Sequence, residues 1–256
     1  MKKLYFIFII LILLSSCSLT KTNEFDQLIK NYPHNTKYLN QYREIYNQTN
    51  NIIYAINNVH YPNFLIPNSY NFLSFNHQNI FFVNTNFKLS KNYIPKNLTN
   101  VINVDYIKRT NQTMQIDKEA LTAYQELFSK SLEYNLQLTI FSAYRSYEYQ
   151  ESIYNKEENN FIASPGASEH QTGCAIDIAT KDSGLTNHFE NTIEYEWLRK
   201  NAHLFGFIMR YPKDKEQITG YPFEPWHYRY VGKNIAKVIY EENITLEEYF
   251  YNNIII

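Results

Sequence analysis

Chemically reactive side chains are concentrated in three separated segments, SAYRSYEYQ, SPGASEHQTGCAIDI and GYPFEPWHYRY. The second segment contains His170 and Asp177, and the third contains His227. Two imidazoles and one carboxylate are a ligand set that suits Zn²⁺, and three protein ligands leave a fourth position for water, which is the pattern of a catalytic zinc site. By itself, a histidine and an aspartate seven positions apart are more often a surface pair. The third segment is therefore needed to support the metal hypothesis.

The sequence GCAIDI predicts how the aspartate is presented. In a β-strand, Cys174, Ile176 and Ile178 would point to one face, and Ala175 and Asp177 to the other. The apolar set would be buried, and the small alanine would leave room beside the carboxylate. A bend at the preceding glycine would return His170 to the same side. The small residues around this histidine and aspartate, Gly166 among them, would suit an active-site loop that a ligand approaches.

A third carboxylate lies close to the last histidine. Glu224 precedes His227 by three residues, and Pro225 stiffens the link between them. A glutamate that stands beside a metal ligand without binding the metal can accept a proton from water and pass it to a leaving amine. The alternative is a surface glutamate next to a buried, hydrogen-bonded histidine, with Trp226 as a core residue.

These segments need elements to position them, and the clearest of those elements is a helix. The sequence DKEALTAYQELFSKSLEYN places Leu121, Tyr124, Phe128 and Leu132 on one face at helical spacing. Asp117 can cap its first turn. This pattern predicts an amphipathic helix that packs on the domain core.

The remaining elements are short and of both kinds. YEYQESIYNK and IEYEWLRKNAHLFG indicate helices, the latter closed by Gly206. LQLTIFSAYRS, GCAIDIAT, FIMRY and WHYRYVG indicate strands. Because helices and strands do not alternate regularly, we predict an α+β fold with a small, mostly antiparallel sheet and flanking helices.

Composition narrows the classes of partner. The 256 residues include 24 Lys and Arg against 25 Asp and Glu, and 44% are hydrophobic, which is enough for a sizeable core. The sequence has no basic stripe interleaved with aromatics, so we expect no nucleic-acid partner.

The N-terminus indicates export. MKKLYFIFIILILLSSC combines two lysines, an apolar run too short to span a membrane comfortably, and small residues before Cys17. Its end resembles the lipobox of bacterial lipoproteins, which predicts a lipid anchor on Cys17 and an extracytoplasmic, membrane-anchored protein. A plain secretory signal is the alternative. With Cys17 lipidated, Cys174 is the one remaining thiol, so no intramolecular disulfide is possible.

Together, the three segments resemble those of the VanY-type zinc D-alanyl-D-alanine carboxypeptidases. That family has Ser-x-Tyr-Arg-Ser, Ser-x-His-x-x-Gly-x-Ala-x-Asp and Glu-x-Trp-His segments in this order, and the chain reads SAYRS, SEHQTGCAID and EPWH. The resemblance extends from Phe81 to Lys233 and includes the flanking LSKNYIPKNL and AHLFGFIMRYPKDKEQITGY. Three ordered motifs in one domain are a far stronger signal than any one of them.

The resemblance implies a zinc DD-carboxypeptidase fold of the Hedgehog/DD-peptidase type and a Zn²⁺ cofactor. It implies that His170, Asp177 and His227 are the zinc ligands, that Glu224 is the catalytic base, and that Arg145 faces the substrate. The positions that would line the substrate pocket are Ser168, Gln150, Tyr211 and Trp226. Peptidoglycan stem peptides would be the partners, and the C-terminal D-alanine would be the residue removed.

From these patterns we expect a signal peptide at 1–16, a tether with a helical accessory region at 17–80, the carboxypeptidase domain at 81–243 and a C-terminal tail at 244–256. Two alternatives remain open. The enzyme could be an LD-carboxypeptidase that acts on tetrapeptide stems, or the chain could be a non-catalytic zinc-containing lipoprotein that binds the cell wall.

Overall fold

The computed structural model describes residues 24–31, 36–49, 52, 55, 72–75, 78–85, 87–108, 113–156 and 162–254. The expected signal peptide at 1–16 and the expected lipidation site Cys17 lie outside these residues. The chain forms two compact units. One comprises Met1–Pro67 with Phe250–Ile256, and the other comprises Asn68–Tyr249.

In the first unit, residues 24–28 and Leu39–Thr49 are helical. Among the described residues of the whole chain, no helix is both long enough and apolar enough to cross a lipid bilayer.

From residue 68 onwards, strands and helices are mixed. The strands are β1 (Phe72–Phe75), β2 (Gln78–Phe81), β3 (Leu98–Asn100), β4 (Gln115–Asp117), β5 (Thr139–Ser142), β6 (Ala175–Ala179), β7 (Phe207–Met209) and β8 (His227–Tyr230). The helices are α1 (Lys118–Glu133), α2 (Tyr147–Tyr154), α3 (Ile193–Asn201), α4 (Glu216–Thr219), α5 (Lys233–Glu242) and α6 (Leu246–Ile254). The strands predicted from TIFS, AIDIA, FIM and HYRY are therefore present.

The sheet that carries the site has four strands in the order β5-β6-β8-β7, and every neighbouring pair is antiparallel. Two further antiparallel pairs, β1 with β2 and β3 with β4, lie outside it. The prediction of an α+β fold with a small antiparallel sheet is confirmed.

One face of the four-stranded sheet packs into the hydrophobic core. Ile176 on β6 is paired with Tyr228 on β8, and both side chains are completely buried. Phe207 of β7 and Tyr124 of α1 pack edge to face in the same core, with ring centroids 6.2 Å apart. Each such side chain contributes about 1.5–3 kcal/mol through burial. Because side chains alternate along a strand, the same pairing turns the neighbouring residues to the opposite face.

Helix α1 begins as predicted and buries most of the predicted face, except at its last turn. The Asp117 carboxylate accepts hydrogen bonds from the backbone N–H groups of Glu119 and Ala120. Leu121 and Tyr124 are buried, but Leu132, which we expected on the same face, is 52% exposed. The buried face also includes Ala120, Leu127 and Ser131, which leaves Leu132 on the flank of the last turn.

Candidate active site

The pairing of β6 with β8 brings two of the predicted ligands together. Asp177 is the direct cross-strand neighbour of His227, and both side chains point away from the core-facing pair of Ile176 and Tyr228. Directly opposed residues in an antiparallel pair have Cβ atoms about 4.5–5.5 Å apart. Here the carboxylate oxygen Oδ1 lies 3.0 Å from the ring nitrogen Nδ1 of His227. Sheet register therefore holds these two groups together.

His170 reaches the same place from a short 3-10 turn, Glu169–Thr172. Gly173 ends the turn with φ +74°, a left-handed conformation that favours glycine, and the chain then enters β6. The Nδ1–H of His170 donates to the carbonyl oxygen of Ala143 at 2.6 Å, so Nε2 faces the site and lies 3.3 Å from Oδ2 of Asp177. The predicted bend at this glycine is thus present.

These three side chains could hold one metal ion. One ligand atom from each of His170, Asp177 and His227 lies within 4.8 Å of the others, and all three residues are buried. Nε2 of His170 is buried without a hydrogen-bond partner among the described residues. An unsatisfied buried nitrogen is costly, and a metal ion would satisfy it. The donor set also matches the preference of Zn²⁺ for two imidazoles and a carboxylate.

The pKa values of the two histidines are shifted in opposite directions. Burial and the nearby Arg145 guanidinium lower the pKa of His170 to about 4, so its ring is neutral and its lone pair is available at neutral pH. Burial also lowers the pKa of His227, but hydrogen bonds to Asp177 and Glu169 outweigh it and raise that pKa to about 9. A metal ion must therefore displace a proton from His227 when it binds.

Glu224 is placed beside the ligands without joining them. Its backbone N–H donates to the carbonyl oxygen of Tyr211 at 3.1 Å, and its carbonyl oxygen accepts from the backbone N–H of His227 at 3.2 Å. The carboxylate oxygen Oε2 lies 3.9 Å from Nδ1 of His227. Burial raises the pKa of Glu224 to about 7, a value suited to a group that accepts and returns protons near neutral pH. A divalent cation nearby would lower this pKa.

Arg145 lies between β5 and α2 at the edge of this cluster. Its backbone N–H donates to the carbonyl oxygen of His170 at 3.3 Å. Its positive charge lowers the pKa of both His170 and Glu224, which places the guanidinium within electrostatic reach of both. The side chain is half-buried, and its Nε has no hydrogen-bond partner among the described residues. A guanidinium in this state can bind a carboxylate through two parallel hydrogen bonds.

Two of the four expected pocket residues flank the histidines. Tyr211 is buried, and its ring stacks on the His227 ring with centroids 4.8 Å apart. Ser168 is buried at the N-terminal cap of the 3-10 turn, and its side chain makes no capping hydrogen bond there. Both therefore lie close to the cluster, and their contact with a substrate stays a prediction.

The other two make contacts within the domain. The Gln150 side chain is buried, and its Nε2 donates to the carbonyl oxygen of Ala163 at 2.6 Å, so one end of its amide supports the neighbouring loop. Trp226 is half-buried against the core, and its carbonyl oxygen accepts from the backbone N–H of Ile178 at 2.8 Å. A structural role accounts for these contacts, and a role in substrate binding stays a prediction for both residues.

Gly166 has a different task from the one that we expected. It adopts φ +85°, and a Cβ atom added there would lie 2.6 Å from the carbonyl oxygen of Leu89. The backbone N–H of Leu89 also donates to the carbonyl oxygen of Gly166 at 2.8 Å. The glycine therefore allows two backbone segments to pack together, rather than the approach of a ligand.

The buried carboxylate of Glu169 was not predicted from the sequence. This side chain is completely buried and contacts two guanidinium groups, with Nε of Arg210 at 2.8 Å and Nη1 of Arg229 at 3.0 Å from its Oε1. Burial by itself raises a carboxyl pKa, but these two positive charges outweigh it and hold the pKa of Glu169 well below its usual range. The position of Glu169, next to the predicted ligand His170, was the one sequence feature that could have indicated a role at the site. No sequence pattern showed that its side chain is buried.

Two imidazoles and a carboxylate around one point, with a further carboxylate beside them, are typical of mononuclear zinc hydrolases. The family profile described as VanY: D-alanyl-D-alanine carboxypeptidase matches residues 113–233. The chain belongs to this family.

Individual relatives agree with the family match. The Bacillus subtilis (strain 168) protein YodJ is 41% identical over 179 residues, which are 66% of this chain and 65% of YodJ. The chain thus spans slightly less than two thirds of the length of this relative.

Two solved structures share the fold. The LdcB LD-carboxypeptidase, whose structure reveals the basis of its peptidoglycan recognition, has a TM-score of 0.63 and 37% identity over 71% of this chain and 93% of its own. The E175A mutant of the vancomycin-resistance D,D-pentapeptidase VanY, in complex with Zn(II), has a TM-score of 0.52 and 33% identity over 66% of this chain and 96% of its own.

Proposed function

We propose that this protein is a zinc-dependent carboxypeptidase that removes the C-terminal D-alanine from peptidoglycan stem peptides. One observation carries the proposal. One ligand atom from each of His170, Asp177 and His227 lies within 4.8 Å of the others, and the Glu224 carboxylate stands 3.9 Å from Nδ1 of His227. Membership of the D-alanyl-D-alanine carboxypeptidase family and the Zn(II) in the VanY structure support the choice of reaction and metal.

In this proposal the three ligands hold zinc, which when bound would make water more acidic and polarise the scissile carbonyl. Glu224 accepts the proton that the attacking water loses and returns it to the leaving amine of D-alanine. Arg145 binds the free carboxylate of the terminal residue or stabilises the negative charge that develops on the carbonyl oxygen. Tyr211 covers one face of His227 and limits its movement.

A second candidate is the LD-carboxypeptidase reaction on tetrapeptide stems. The observation that favours it is the higher structural similarity to LdcB, with a TM-score of 0.63 against 0.52 for VanY. Both reactions need the same metal site, base and carboxylate-binding group. They differ in the configuration of the residue that precedes the terminal D-alanine.

The test is to incubate purified, zinc-loaded protein with pentapeptide and tetrapeptide muropeptides and to follow D-alanine release by mass spectrometry. Release from pentapeptides supports the D-alanyl-D-alanine reaction, and release from tetrapeptides alone supports the LD reaction. Matched peptides with C-terminal amides are the control, and a carboxypeptidase should leave them intact. Peptides that bind without cleavage would support the non-catalytic alternative and reject both enzymatic proposals.

We also propose that residues 1–16 are a signal peptide and that Cys17 carries a lipid that anchors the protein outside the cytoplasm. The support is the order of two lysines, a short apolar run and small residues before the cysteine. Stable anchoring requires more than one acyl chain, which lipoproteins have. Cys17→Ser should move the protein from the membrane fraction to the soluble fraction. Fractionation identical to that of the parent protein would reject the anchor.

A further inference from the structure

The two ring nitrogens of His227 face different partners. Nδ1 lies 3.0 Å from Asp177, on the side of the ligand cluster, whereas Nε2 lies 3.3 Å from the Oε2 atom of Glu169. A histidine that binds a metal must offer a lone pair to it and can keep a proton on its other nitrogen. The geometry therefore requires Nδ1 of His227 to face the metal and Nε2 to keep its proton.

His170 has the opposite arrangement. Its Nδ1–H donates to the backbone carbonyl of Ala143, and its unpartnered Nε2 faces the cluster. The site thus needs each ring in a different tautomer. A backbone carbonyl selects the tautomer of His170, and the Glu169 carboxylate is the group placed to select that of His227.

Glu169 is well suited to this role because its two oxygens have separate tasks. Oε1 accepts hydrogen bonds from Arg210 and Arg229, and Oε2 is directed at His227. An ionised carboxylate only accepts hydrogen bonds, so it favours the ring form that carries a proton on Nε2. The side chain is completely buried, so water does not compete for this contact.

Arg210 connects this carboxylate to the C-terminal helix. Its Nε donates to Glu169, and its Nη1 and Nη2 donate to the two oxygens of Glu247 at 2.7 and 2.5 Å. The backbone N–H of Arg210 also donates to the carbonyl oxygen of His227 at 3.1 Å. Arg210 and Glu247 are both completely buried. The planar guanidinium is therefore fixed on both edges, which fixes the carboxylate that it binds.

The network is electrically balanced, because the carboxylates of Glu169 and Glu247 match the guanidinium groups of Arg210 and Arg229. Removal of one member of such a group leaves an uncompensated buried charge. Glu247 belongs to α6, in the segment that the sequence analysis assigned to a C-terminal tail. This segment therefore supplies one of the four charges in the network that contacts His227 through Glu169.

We propose that Glu169 is a positioning residue that holds His227 in the Nε2–H tautomer, and that Glu247 supports it from α6 through Arg210. The inference rests on the ligand assignment made under the proposed function, and it adds residues that do not touch the substrate. It predicts that both carboxylates control metal affinity rather than substrate recognition.

The first test needs no variant. Long-range ¹H–¹⁵N NMR of the zinc-loaded parent protein reports which nitrogen of each histidine carries a proton. We expect His227 to carry it on Nε2 and His170 to carry it on Nδ1. A zinc-loaded protein with the His227 proton on Nδ1 would overturn the proposal, whatever the variants do.

The second test measures zinc affinity by competition with a chelator. Loss of a group that orients a metal ligand typically weakens metal binding about 10–100-fold, and we expect this range for Glu169→Gln. Glu247→Gln should act in the same direction by roughly tenfold or less, because it acts through Arg210. Glu169→Asp, which keeps the charge, should recover part of the loss.

Glu248→Gln is the matched control. Glu248 is the next residue of α6 and pairs with Lys215 at 3.0 Å instead of Arg210. Its Oε2 accepts from the backbone N–H of Thr245, a hydrogen bond that glutamine can also accept. Zinc affinity should equal that of the parent. An equal loss of zinc affinity in the Glu247 and Glu248 variants would indicate a general effect on α6 and would reject the proposed support of Glu169 by Glu247 through Arg210.

The outcomes also separate this inference from the proposed function. If Glu169→Gln keeps parental zinc affinity while His227→Ala loses zinc, the ligand assignment stands and the positioning role fails. If the parent protein binds zinc and shows the expected tautomers but releases no D-alanine, the proposed function fails and the positioning role stands.

Discussion

Glu224→Gln should change activity and stability in opposite directions. The amide has the shape of the carboxylate but cannot accept the proton of the attacking water. Loss of a general base lowers a rate by roughly 10²–10⁴-fold. Glu224 is not among the three ligands, and its Oε2 lies 3.9 Å from His227, so zinc should remain bound.

The expected stability gain follows from the burial of the same carboxylate. Burial raises the pKa of Glu224 from 4.5 to about 7, and a change of this size corresponds to about 3 kcal/mol between its two protonation states. A carboxyl group whose pKa is raised in the folded state destabilises that state progressively as the pH rises above the unfolded pKa, and the effect is complete above the folded pKa. Because 20% of the side chain is exposed, about 3 kcal/mol is an upper limit.

The size of the effect depends on pH. Near pH 4.5 and below, the carboxyl group is protonated in the folded state, and glutamine should give little gain. The gain from the neutral amide should grow as the pH rises from about 4.5 to about 7, and it should stay at its full value above that. For a domain of this size, it should raise Tm by several degrees, up to roughly 10 °C. Bound zinc should reduce the gain, because a nearby cation favours the carboxylate.

The assay is thermal unfolding of metal-free parent and Glu224→Gln protein at about pH 4.5 and pH 8, followed by circular dichroism, together with D-alanine release by the zinc-loaded proteins. Glu119→Gln, the same chemical change at an exposed position on α1, is the control and should shift stability by less than about 0.5 kcal/mol. A glutamine variant that is less stable than the parent at pH 8 would contradict the stability prediction, and one that keeps parental activity would exclude Glu224 as the general base.

Three further predictions concern zinc binding by His227, substrate binding by Arg145 and the backbone conformation at Gly166. Zinc must displace a proton from His227, whose pKa is about 9. Zinc affinity should therefore rise roughly tenfold per pH unit between about pH 7 and 8.5, and an affinity that stays constant over this range would contradict the prediction. Arg145→Lys keeps the charge but loses the bidentate contact with the substrate carboxylate, so kcat/KM for free-acid peptides should fall about 10–100-fold through a higher KM. A fall in kcat alone, of roughly 10²–10³-fold, would instead assign Arg145 to stabilisation of the oxyanion. Gly166→Ala should lower the free energy of unfolding by roughly 1–3 kcal/mol in a denaturant titration. The reason is that residue 166 has φ +85° and that an added Cβ would lie too close to the carbonyl oxygen of Leu89. Unchanged stability would show that the segment around Gly166 can move to accept the added Cβ.

Local sequence patterns were sufficient to predict the elements and the ligand types. The capping aspartate and apolar spacing predicted α1, and the alternation in AIDIA predicted β6. These features depend on contacts between near neighbours in the chain, which a sequence displays directly. The motifs around His170 and His227 indicated which groups could bind zinc, because ligand chemistry belongs to residue types.

Sequence patterns could not give the relative positions of these groups. The opposition of Asp177 and His227 results from the register of two strands 50 residues apart, which depends on how the whole sheet packs. Leu132 was misplaced for the same reason, since the buried face of a helix is decided by what packs against it.

The environment of the site was decided by tertiary structure alone. Glu169 and Glu247 are charged residues that a sequence would place at the surface, since such side chains are rarely buried unless paired. Their partners Arg210 and Arg229 come from other segments, 37 residues away in the closest case. The sequence by itself determined which atoms could bind a metal and move a proton, because those capacities belong to single side chains. The contacts of the two ring nitrogens of His227, with Asp177 and with Glu169, could be read from the tertiary structure alone, because they join residues from distant parts of the chain.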